Sequence, residues 1–329
     1  MHAGTLPSRQ LMDLSLFFAG TAGSVPTPRR GLPAVLLRRG GDRILFDCGE
    51  GTQRQLARSI GLTDVDAIFL THFHADHWLG LPGMLKSFAL RDRDRPLTLY
   101  GPPGVHELIA SLRFVLGTLP YPFAVRELEP GEAVEFGDYE ISTFNVRHRG
   151  LAYGYCILED DRPGRFDAEL ATSLGVASGP DFGRLQRGEA VGGVTPEQVM
   201  GPGRYGRKIV LSGDTAPCEG LAAAAHHADL LIHEATFLRD DAERAAQTRH
   251  STAVQAAGTA KEADVGLLAL VHLSGRYPGR AVLDEAREVF EHTVLPRDFD
   301  SIEVPFPEKG DPELVRWESR APAGPGPPR

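Results

Sequence analysis

Three histidines and one aspartate lie within six positions of "THFHADH", directly after an apolar run. The run "VDAIFL" is apolar and β-branched, which predicts a buried strand that ends where the polar cluster begins. Functional groups concentrate in loops that follow strand ends. In such a loop His72 and His74 can point to one position while Asp76 and His77 turn toward a second. The spacing therefore predicts a two-metal site, and it requires a fold that brings further ligands to this loop.

Several later apolar runs also end in candidate ligands. "NVRH" ends on His148, "VLSGD" on Asp214, "LLIHE" on His233 and Glu234, and "LALVH" on His272. If these strands share sheets, their ends can meet at one edge beside the first cluster. Imidazole and carboxylate ligands suit zinc, with manganese or iron as alternatives. Two ions about 3.5–4 Å apart would generate hydroxide at neutral pH and hold a phosphoryl group.

The order of the other elements predicts an α/β domain in which helices cover the sheets. Further strands are predicted in "LSLFFAG", "PAVLLRRG", "DRILFDCG" and "PLTLYGP", and an antiparallel set in "FAVRELEP", "EAVEFGDYEISTFNVRH" and "LAYGYCILE". Helices are predicted in "GTQRQLARSIG", "LPGMLKSFAL", "GVHELIASLRFVLG", "STAVQAAGTAKEA" and "RAVLDEAREVFEHT". Residues 160–205 are rich in Gly and Pro and short of apolar periodicity, which predicts an insertion that projects from the core. The Pro/Gly-rich tail at 321–329 is predicted to be disordered.

Composition narrows the class of protein. A chain of 329 residues with 42% hydrophobic content can form one large domain or two smaller ones. The net charge of -9 excludes a uniformly basic surface, so any nucleic acid must be bound by local basic patches. The three widely spaced cysteines fit neither a disulfide framework nor a cysteine zinc site. No apolar segment approaches about 18 residues, and we predict a cytoplasmic protein.

The motifs, in their order along the chain, resemble those of a known superfamily. An aspartate in "FDCGEGTQ", then "THFHADH", an isolated histidine, "SGDT" and a late histidine resemble the metallo-β-lactamase superfamily. More narrowly, "FDCGEGTQRQL", "HEAT", "HST" and "HLSGRY" resemble ribonuclease Z, the endonuclease family that removes the 3′ trailer from precursor tRNA. The resemblance runs from Leu14 to Tyr277. It implies an αββα sandwich of two mixed sheets flanked by helices, as one hydrolase domain over 1–320 interrupted by an arm at 160–205.

The resemblance also implies a ligand set for two Zn²⁺ per chain, with Mn²⁺ or Fe²⁺ possible. One ion would be held by His72, His74 and His148, the other by Asp76, His77 and His272, with Asp214 bridging them. Asp47 would orient a ligand histidine from outside the ligand set.

In the implied reaction, Asp76 also accepts the proton of the attacking hydroxide. Glu234 and His250 resemble the family's proton-donating pair, and a carboxylate beside an imidazole holds it protonated, as a general acid requires. His250 also precedes a predicted helix that Ser251 or Thr252 would cap, which is a structural interpretation of the same residue. The catalytic and structural interpretations are compatible, because the start of the helix would place His250. For His233, structural hydrogen bonding and catalysis are equally supported.

Substrate contacts are predicted at two places. Ser274 and Arg276 lie just beyond a ligand in "HLSGRY", where Arg276 can grip a phosphate bidentately or form a structural salt bridge. "GPDFGRLQRGE" resembles the Gly-Pro motif of the family's arm, which reaches the tRNA elbow, and makes Arg184 and Arg187 candidate phosphate contacts. The arm is not net basic, with seven basic against eight acidic residues from Glu159 to Lys208. The stretch "VPTPRRGLP" departs from the family's Arg-Asn-x-Ser run, which predicts altered contacts at the substrate's 3′ end.

The resemblance implies precursor tRNA as partner, a homodimer, and no membrane association. The alternative is a phosphodiesterase or other small-molecule hydrolase of the same superfamily, which would need no arm. A third class is a non-catalytic tRNA-binding module. The complete ligand set and the "HEAT" and "HST" motifs argue against that class.

Overall fold

The computed structural model describes residues 13–318, and the tail predicted at 321–329 lies outside them. The strands are β1 (Leu14–Gly20), β2 (Ala34–Arg39), β3 (Asp42–Phe46), β4 (Ala67–Phe69), β5 (Leu97–Gly101), β6 (Phe123–Glu127), β7 (Ala133–Glu135), β8 (Tyr139–Asn145), β9 (Tyr153–Glu159), β10 (Lys208–Leu211), β11 (Leu230–Glu234), β12 (Leu267–Val271), β13 (Thr293–Val294), β14 (Ser301–Glu303) and β15 (Glu313–Val315). The helices are α1 (Thr52–Ala57), α2 (Ala75–Trp78), α3 (Leu81–Ala89), α4 (Val105–Ser111), α5 (Arg113–Leu116), α6 (Ala168–Ser173), α7 (Pro180–Gln186), α8 (Pro196–Val199), α9 (Glu219–Ala225), α10 (Ala242–Thr248), α11 (Ala253–Glu262) and α12 (Gly279–Arg287). Single 3-10 turns lie at Arg239–Asp241 and Pro307–Lys309.

The strands form two mixed sheets that pack face to face. The first has eight strands in the order β15-β14-β1-β2-β3-β4-β5-β6, and the second has seven in the order β13-β12-β11-β10-β9-β8-β7. Inward side chains of both sheets share one core, while the outer faces pack on α1, α3, α4 and α5 or on α9, α11 and α12. Each helix buries an apolar stripe against a sheet face that would otherwise be exposed to water. The predicted αββα sandwich is confirmed.

The strand register brings the candidate ligands to one edge. Strands β10, β11 and β12 run parallel, so the residues that follow them emerge on the same side. In the first sheet Phe46 of β3 lies opposite Phe69 of β4, which places Asp47 beside the start of the His72 loop. The fold therefore assembles the site from segments far apart in sequence.

Two details of the predicted elements are wrong. The segment "FAVRELEP" was expected in an antiparallel set, but β6 pairs parallel with β5 at the edge of the first sheet. The helical crossover through α4 and α5 requires this, because it returns the chain to the same end of the sheet. The single helix expected over "GVHELIASLRFVLG" breaks at Leu112, and the turn there buries Leu116 while leaving Phe114 88% exposed.

The segment expected to be an insertion connects β9 to β10, which are paired antiparallel neighbours. It contains α6, α7 and α8 and has a small core of its own. That core consists of the buried residues Ala171, Val176, Leu185, Val194 and Val199. The main sheets are complete without this segment. Its role as a tRNA-binding arm stays a prediction.

Among residues 13–318, no helix has the length and apolar character needed to span a membrane.

Candidate metal centre

All seven predicted ligands converge at the edge where the strands end. His72 and His74 follow β4, and Asp76 and His77 lie on the short helix α2, which begins immediately after His74. The other three ligands follow strands of the second sheet. The ligand atoms form one group of His72, His74, His148 and Asp214, and another of Asp76, His77 and His272; within each group they lie within 4.8 Å of one another.

Asp214 lies between the two groups. Its Oδ2 is 3.3 Å from Nε2 of both His77 and His272, and 3.8 Å from Nε2 of His72. The same oxygen is 4.0 Å from Nε2 of His148. One carboxylate oxygen therefore faces ligand nitrogens of both groups, which is the geometry that a bridging ligand needs.

The side chains fit bound cations. Nε2 of His72 and Nε2 of His77 are buried and have no hydrogen-bond partner among the described residues, which is costly for a polar group unless it binds an ion. Nδ1 of His74 and Nε2 of His148 face each other at 3.0 Å. The donors are imidazoles and carboxylates without thiolates, a set that suits zinc.

Asp47 holds one ligand in position. His77 Nδ1 donates to Asp47 Oδ2 at 2.7 Å, which leaves the Nε2 lone pair available for a cation. Thr71 donates its backbone N–H to Asp47 Oδ1 at 2.8 Å and so fixes the carboxylate. Asp214 and Asp47 outweigh the burial of His77 and raise the pKa of its imidazole well above the ordinary value. Metal binding at His77 must therefore displace a proton.

A second support, at His272, involves a residue that the sequence reasoning missed. Thr236 Oγ1 donates to Glu234 Oε2 at 2.5 Å, so it accepts from His272 Nδ1 at 2.8 Å. This series of hydrogen bonds sets the tautomer of His272 and leaves its Nε2 facing Asp76 Oδ2, 3.4 Å away. The signal in the sequence was the threonine that ends the motif "HEAT".

His148 is held by Arg249, which was also missed. His148 Nδ1 donates to the carbonyl oxygen of Arg249 at 3.0 Å, and Arg249 Nη1 donates back to the carbonyl oxygen of His148 at 2.8 Å. Arg249 adopts a left-handed conformation, φ 59°, at the end of α10. The turn that places His250 is thus tied to a metal ligand.

The loop after β1 supports the second group. Ser24 N donates to Asp76 Oδ2 at 2.8 Å. Gly23 packs so closely on His272 that a Cβ at this position would lie 2.4 Å from Nδ1 of the ring. A glycine in the loop directly after a strand was a usable sequence signal for such a close approach.

Glu234 and His250 form the predicted pair. His250 Nδ1 and Glu234 Oε1 are 2.8 Å apart, and Glu234 is completely buried. Burial alone would lower the pKa of His250, but the hydrogen bond and charge of Glu234 raise it to about 9. His250 is therefore an imidazolium at neutral pH. The neighbouring cap is Thr252, whose Oγ1 accepts from Gln255 N, while Ser251 Oγ donates to the carbonyl oxygen of Thr215.

His233 faces away from this chemistry. Its Nδ1 lies 2.7 Å from the carbonyl oxygen of Glu234, and its ring is completely buried. It is not a member of the clustered metal-ligand groups among the described residues. This placement favours the structural interpretation.

An open cleft of about 360 Å³ adjoins the centre and brings together His250, Ser274 and Arg276. The predicted contacts Arg184 and Arg187 lie elsewhere, at α7, and both pair with Glu189, at 3.0 Å and 3.5 Å. In the altered "VPTPRRGLP" stretch, Arg30 Nη1 donates to Thr21 Oγ1 at 2.6 Å and therefore braces the fold. The substrate contacts stay predictions.

Comparisons with known proteins identify the family of this chain. Residues 42–167 match the family model described as "Beta-lactamase superfamily domain". The chain is 46% identical over 307 residues to ribonuclease Z of Halorubrum lacusprofundi, covering 90% of this chain and 99% of that one. It is 45% identical over 304 residues to ribonuclease Z of Myxococcus xanthus, covering 89% and 98%.

Solved structures share the architecture. The short form of human tRNase Z superposes with a TM-score of 0.66 at 28% identity, covering 88% of this chain and 99% of that one. The metallo-β-lactamase fold protein YhfI from Bacillus subtilis gives a TM-score of 0.67 at 19% identity, covering 89% and 100%. The chain belongs to the ribonuclease Z family of the metallo-β-lactamase superfamily.

Proposed function

We propose that this chain is a metal-dependent endoribonuclease that removes the 3′ trailer from precursor tRNA and leaves a tRNA 3′-hydroxyl. The observation that carries the proposal is the position of the Glu234–His250 pair, which lies at an open cleft beside a complete two-group ligand set. A phosphodiester in that cleft would meet both a metal centre and a proton donor.

The ligand groups would hold two zinc ions, with Asp214 shared between them. When bound, such ions lower the pKa of water and offset negative charge on the phosphodiester. Zinc analysis of the purified protein tests the number. We expect close to two ions per chain, and loss of most metal and activity in His74→Ala. A fully active enzyme with a single ion would contradict this assignment.

Asp76 suits the role of proton acceptor. Burial favours its neutral form, but His272 and His77 outweigh that effect and lower the pKa of the Asp76 carboxyl. Asp76 is therefore ionised at neutral pH, which a proton acceptor requires, and the same shift makes it a weaker base than an ordinary aspartate. Asp76 Oδ2 accepts the backbone N–H of Ser24, and Ser24 lines the cleft.

His250 would protonate the departing 3′ oxygen, which is a poor leaving group as an alkoxide. His250→Ala should therefore slow cleavage of precursor tRNA by about 10²–10⁴-fold while the metal content stays unchanged. A diester with a nitrophenolate leaving group needs no proton, so its hydrolysis should lose far less. An equal defect on both substrates would make His250 a structural residue.

Residues 160–205 would act as the arm that reads tRNA shape, because a junction between acceptor stem and trailer carries little sequence. The experiment replaces residues 163–203 by a short glycine linker and keeps the paired positions Arg162 and Arg204. We expect unchanged hydrolysis of a small diester and much weaker binding of precursor tRNA. The reference is the wild-type protein, for which the cleavage site on precursor tRNA is mapped to the junction between tRNA and trailer. Equal processing by the shortened chain would show that the arm does not recognise tRNA, and would remove the feature that distinguishes this proposal from a small-molecule phosphodiesterase.

We also propose a homodimer, and a cytoplasmic location set by the substrate. The exposed apolar side chains Leu90, Phe114 and Val115, which are 82%, 88% and 61% exposed, lie on or next to the contacting helices α3 and α5. Such a patch is unusual on a monomer and fits a second copy of the chain. Sedimentation should show a dimer that Phe114→Asp weakens.

A further inference from the structure

The arm at 160–205 leaves the domain beside the 3-10 turn at Pro307–Lys309, near the end of the described chain. Its two ends run side by side and are joined by backbone hydrogen bonds, of which the outermost pair within the arm is at Arg162 and Arg204. Arg162 N donates to the carbonyl oxygen of Arg204 at 2.7 Å, and Arg204 N donates to that of Arg162 at 2.9 Å. We call this pair of residues the arm root.

Glu308, on the 3-10 turn, binds both arginines of the arm root. Arg162 Nη1 and Nη2 donate to Oε1 and Oε2 of Glu308 at 2.9 and 2.8 Å. Arg204 Nη1 donates to Oε1 at 3.0 Å. Two parallel charged hydrogen bonds fix the orientation of the Arg162 guanidinium as well as its distance from the Glu308 carboxylate. The hydrogen bond from Arg162 and the charges of both arginines lower the pKa of the Glu308 carboxyl to about 2, so it is ionised at any working pH.

Phe306 packs against Arg162 of the arm root and against Arg207 of the domain. The guanidinium carbon of Arg162 lies 3.5 Å from the ring centre of Phe306, and that of Arg207 lies 4.0 Å from it. Arg207 is buried and pairs with Glu159, Nε to Oε2 at 2.7 Å, at the junction of β9 and β10. A cation over an aromatic face is attracted to it, so the ring couples the arm root to the core.

The arm has a small hydrophobic core of its own, so its internal fold depends little on contacts with the two sheets. A rotation at the root would displace the far end of the arm by a larger distance than the root itself moves. The contacts that limit such a rotation are therefore those at Arg162 and Arg204. Both arginines are held by the C-terminal turn.

We propose that Phe306 and Glu308 are positioning residues that fix the direction of the arm and thereby control the binding of precursor tRNA without taking part in hydrolysis. This inference rests on the proposed function of the arm. It assigns to the C-terminal segment a role in substrate recognition, although that segment is remote in sequence from the arm.

The test compares Glu308→Gln and Phe306→Leu with Glu313→Gln, a control at an exposed carboxylate on β15 of the same segment. For precursor tRNA we expect KM to rise about fivefold to tenfold in the first two variants and kcat to change less than about twofold. Hydrolysis of bis(4-nitrophenyl) phosphate should be unchanged in all three. Amide hydrogen exchange at Arg162 and Arg204 should become faster in Glu308→Gln and stay unchanged in the control.

The outcomes separate this inference from the proposed function. If the wild-type enzyme does not cut precursor tRNA at the trailer junction, the proposed function fails. Unchanged amide exchange in Glu308→Gln would then show that Glu308 does not hold the arm root, and the positioning role would fail as well. If the wild type cuts but KM is unchanged in both variants, the positioning role is wrong. A parallel loss on precursor tRNA and on the small diester also overturns it, because the residues then support the domain as a whole.

Discussion

The proposed acid His250 depends on one carboxylate, and Glu234→Gln tests that dependence. Glu234 Oε1 accepts from His250 Nδ1 and from Thr215 N, both at 2.8 Å, while Oε2 accepts from Thr236 Oγ1. A glutamine can keep its oxygen toward the first two donors and turn its NH₂ group toward Thr236 Oγ1, which can accept it. The substitution removes the charge and retains the shape of the network.

The size of the effect follows from the pKa of His250. The hydrogen bond and charge of Glu234 outweigh burial and raise that pKa to about 9 from an ordinary value of 6.5. Without the charge of Glu234, the pKa should fall to about 6.5, because burial lowers it and the charge of Asp214 is the remaining group that opposes burial. At about pH 7.5 the fraction of protonated His250 would drop from nearly all molecules to about one in ten. We therefore expect precursor cleavage at that pH to slow by at least about tenfold.

The assay is the pH dependence of single-turnover cleavage. The raised pKa keeps the acid form of His250 populated up to about pH 9 in the wild type. The alkaline limb of the profile should therefore move from about pH 9 to about pH 6.5 in Glu234→Gln. The defect should shrink as the pH is lowered toward about 5.5. Hydrolysis of bis(4-nitrophenyl) phosphate should show no such shift, since its leaving group needs no proton. An alkaline limb that stays in place, or equal losses on both substrates, would refute the reasoning.

Three other substitutions test the surroundings of the site. Gly23→Ala would place a Cβ 2.4 Å from Nδ1 of His272, so we expect loss of metal measured by zinc analysis, with the thermal midpoint of the metal-free protein unchanged. Asp47→Ala removes the acceptor 2.7 Å from His77 and should weaken metal affinity by about 10–100-fold in a chelator competition; unchanged affinity would contradict its supporting role. Glu159→Ala leaves two buried arginines without their shared carboxylate and should destabilise the fold by about 3–5 kcal/mol, measured by urea unfolding. A loss below about 1 kcal/mol would show that this buried group is dispensable.

The candidate ligands could be recognised in the sequence because strand ends and motif order both mark them. "THFHADH" and the histidine or aspartate ends of β10 and β12 require only that the strands lie side by side, which parallel pairing supplies. The pairing of Glu234 with His250 could be inferred only from the family resemblance. Nothing in their separation of 16 positions fixes a contact.

Long-range contacts could not be predicted from the sequence. The short strand β14 pairs with β1 across most of the chain, and no local pattern in three residues indicates such a partner. Thr236 and Arg249 act through a hydroxyl and a carbonyl oxygen, groups that occur everywhere in a protein. The hydrogen bonds of Glu308 likewise join it to two arginines that lie 146 and 104 positions away in the sequence.

The ligands come from both halves of the sandwich, and this determines when metal can be captured during synthesis. The loop after β4 supplies His72 and His77, whereas Asp214 and His272 follow strands of the other sheet. The first sheet itself is complete only after β14 and β15 have emerged to pair beside β1. The two groups of candidate ligands can therefore come together only after both sheets have packed on each other, so we expect metal capture to follow the folding of the sandwich.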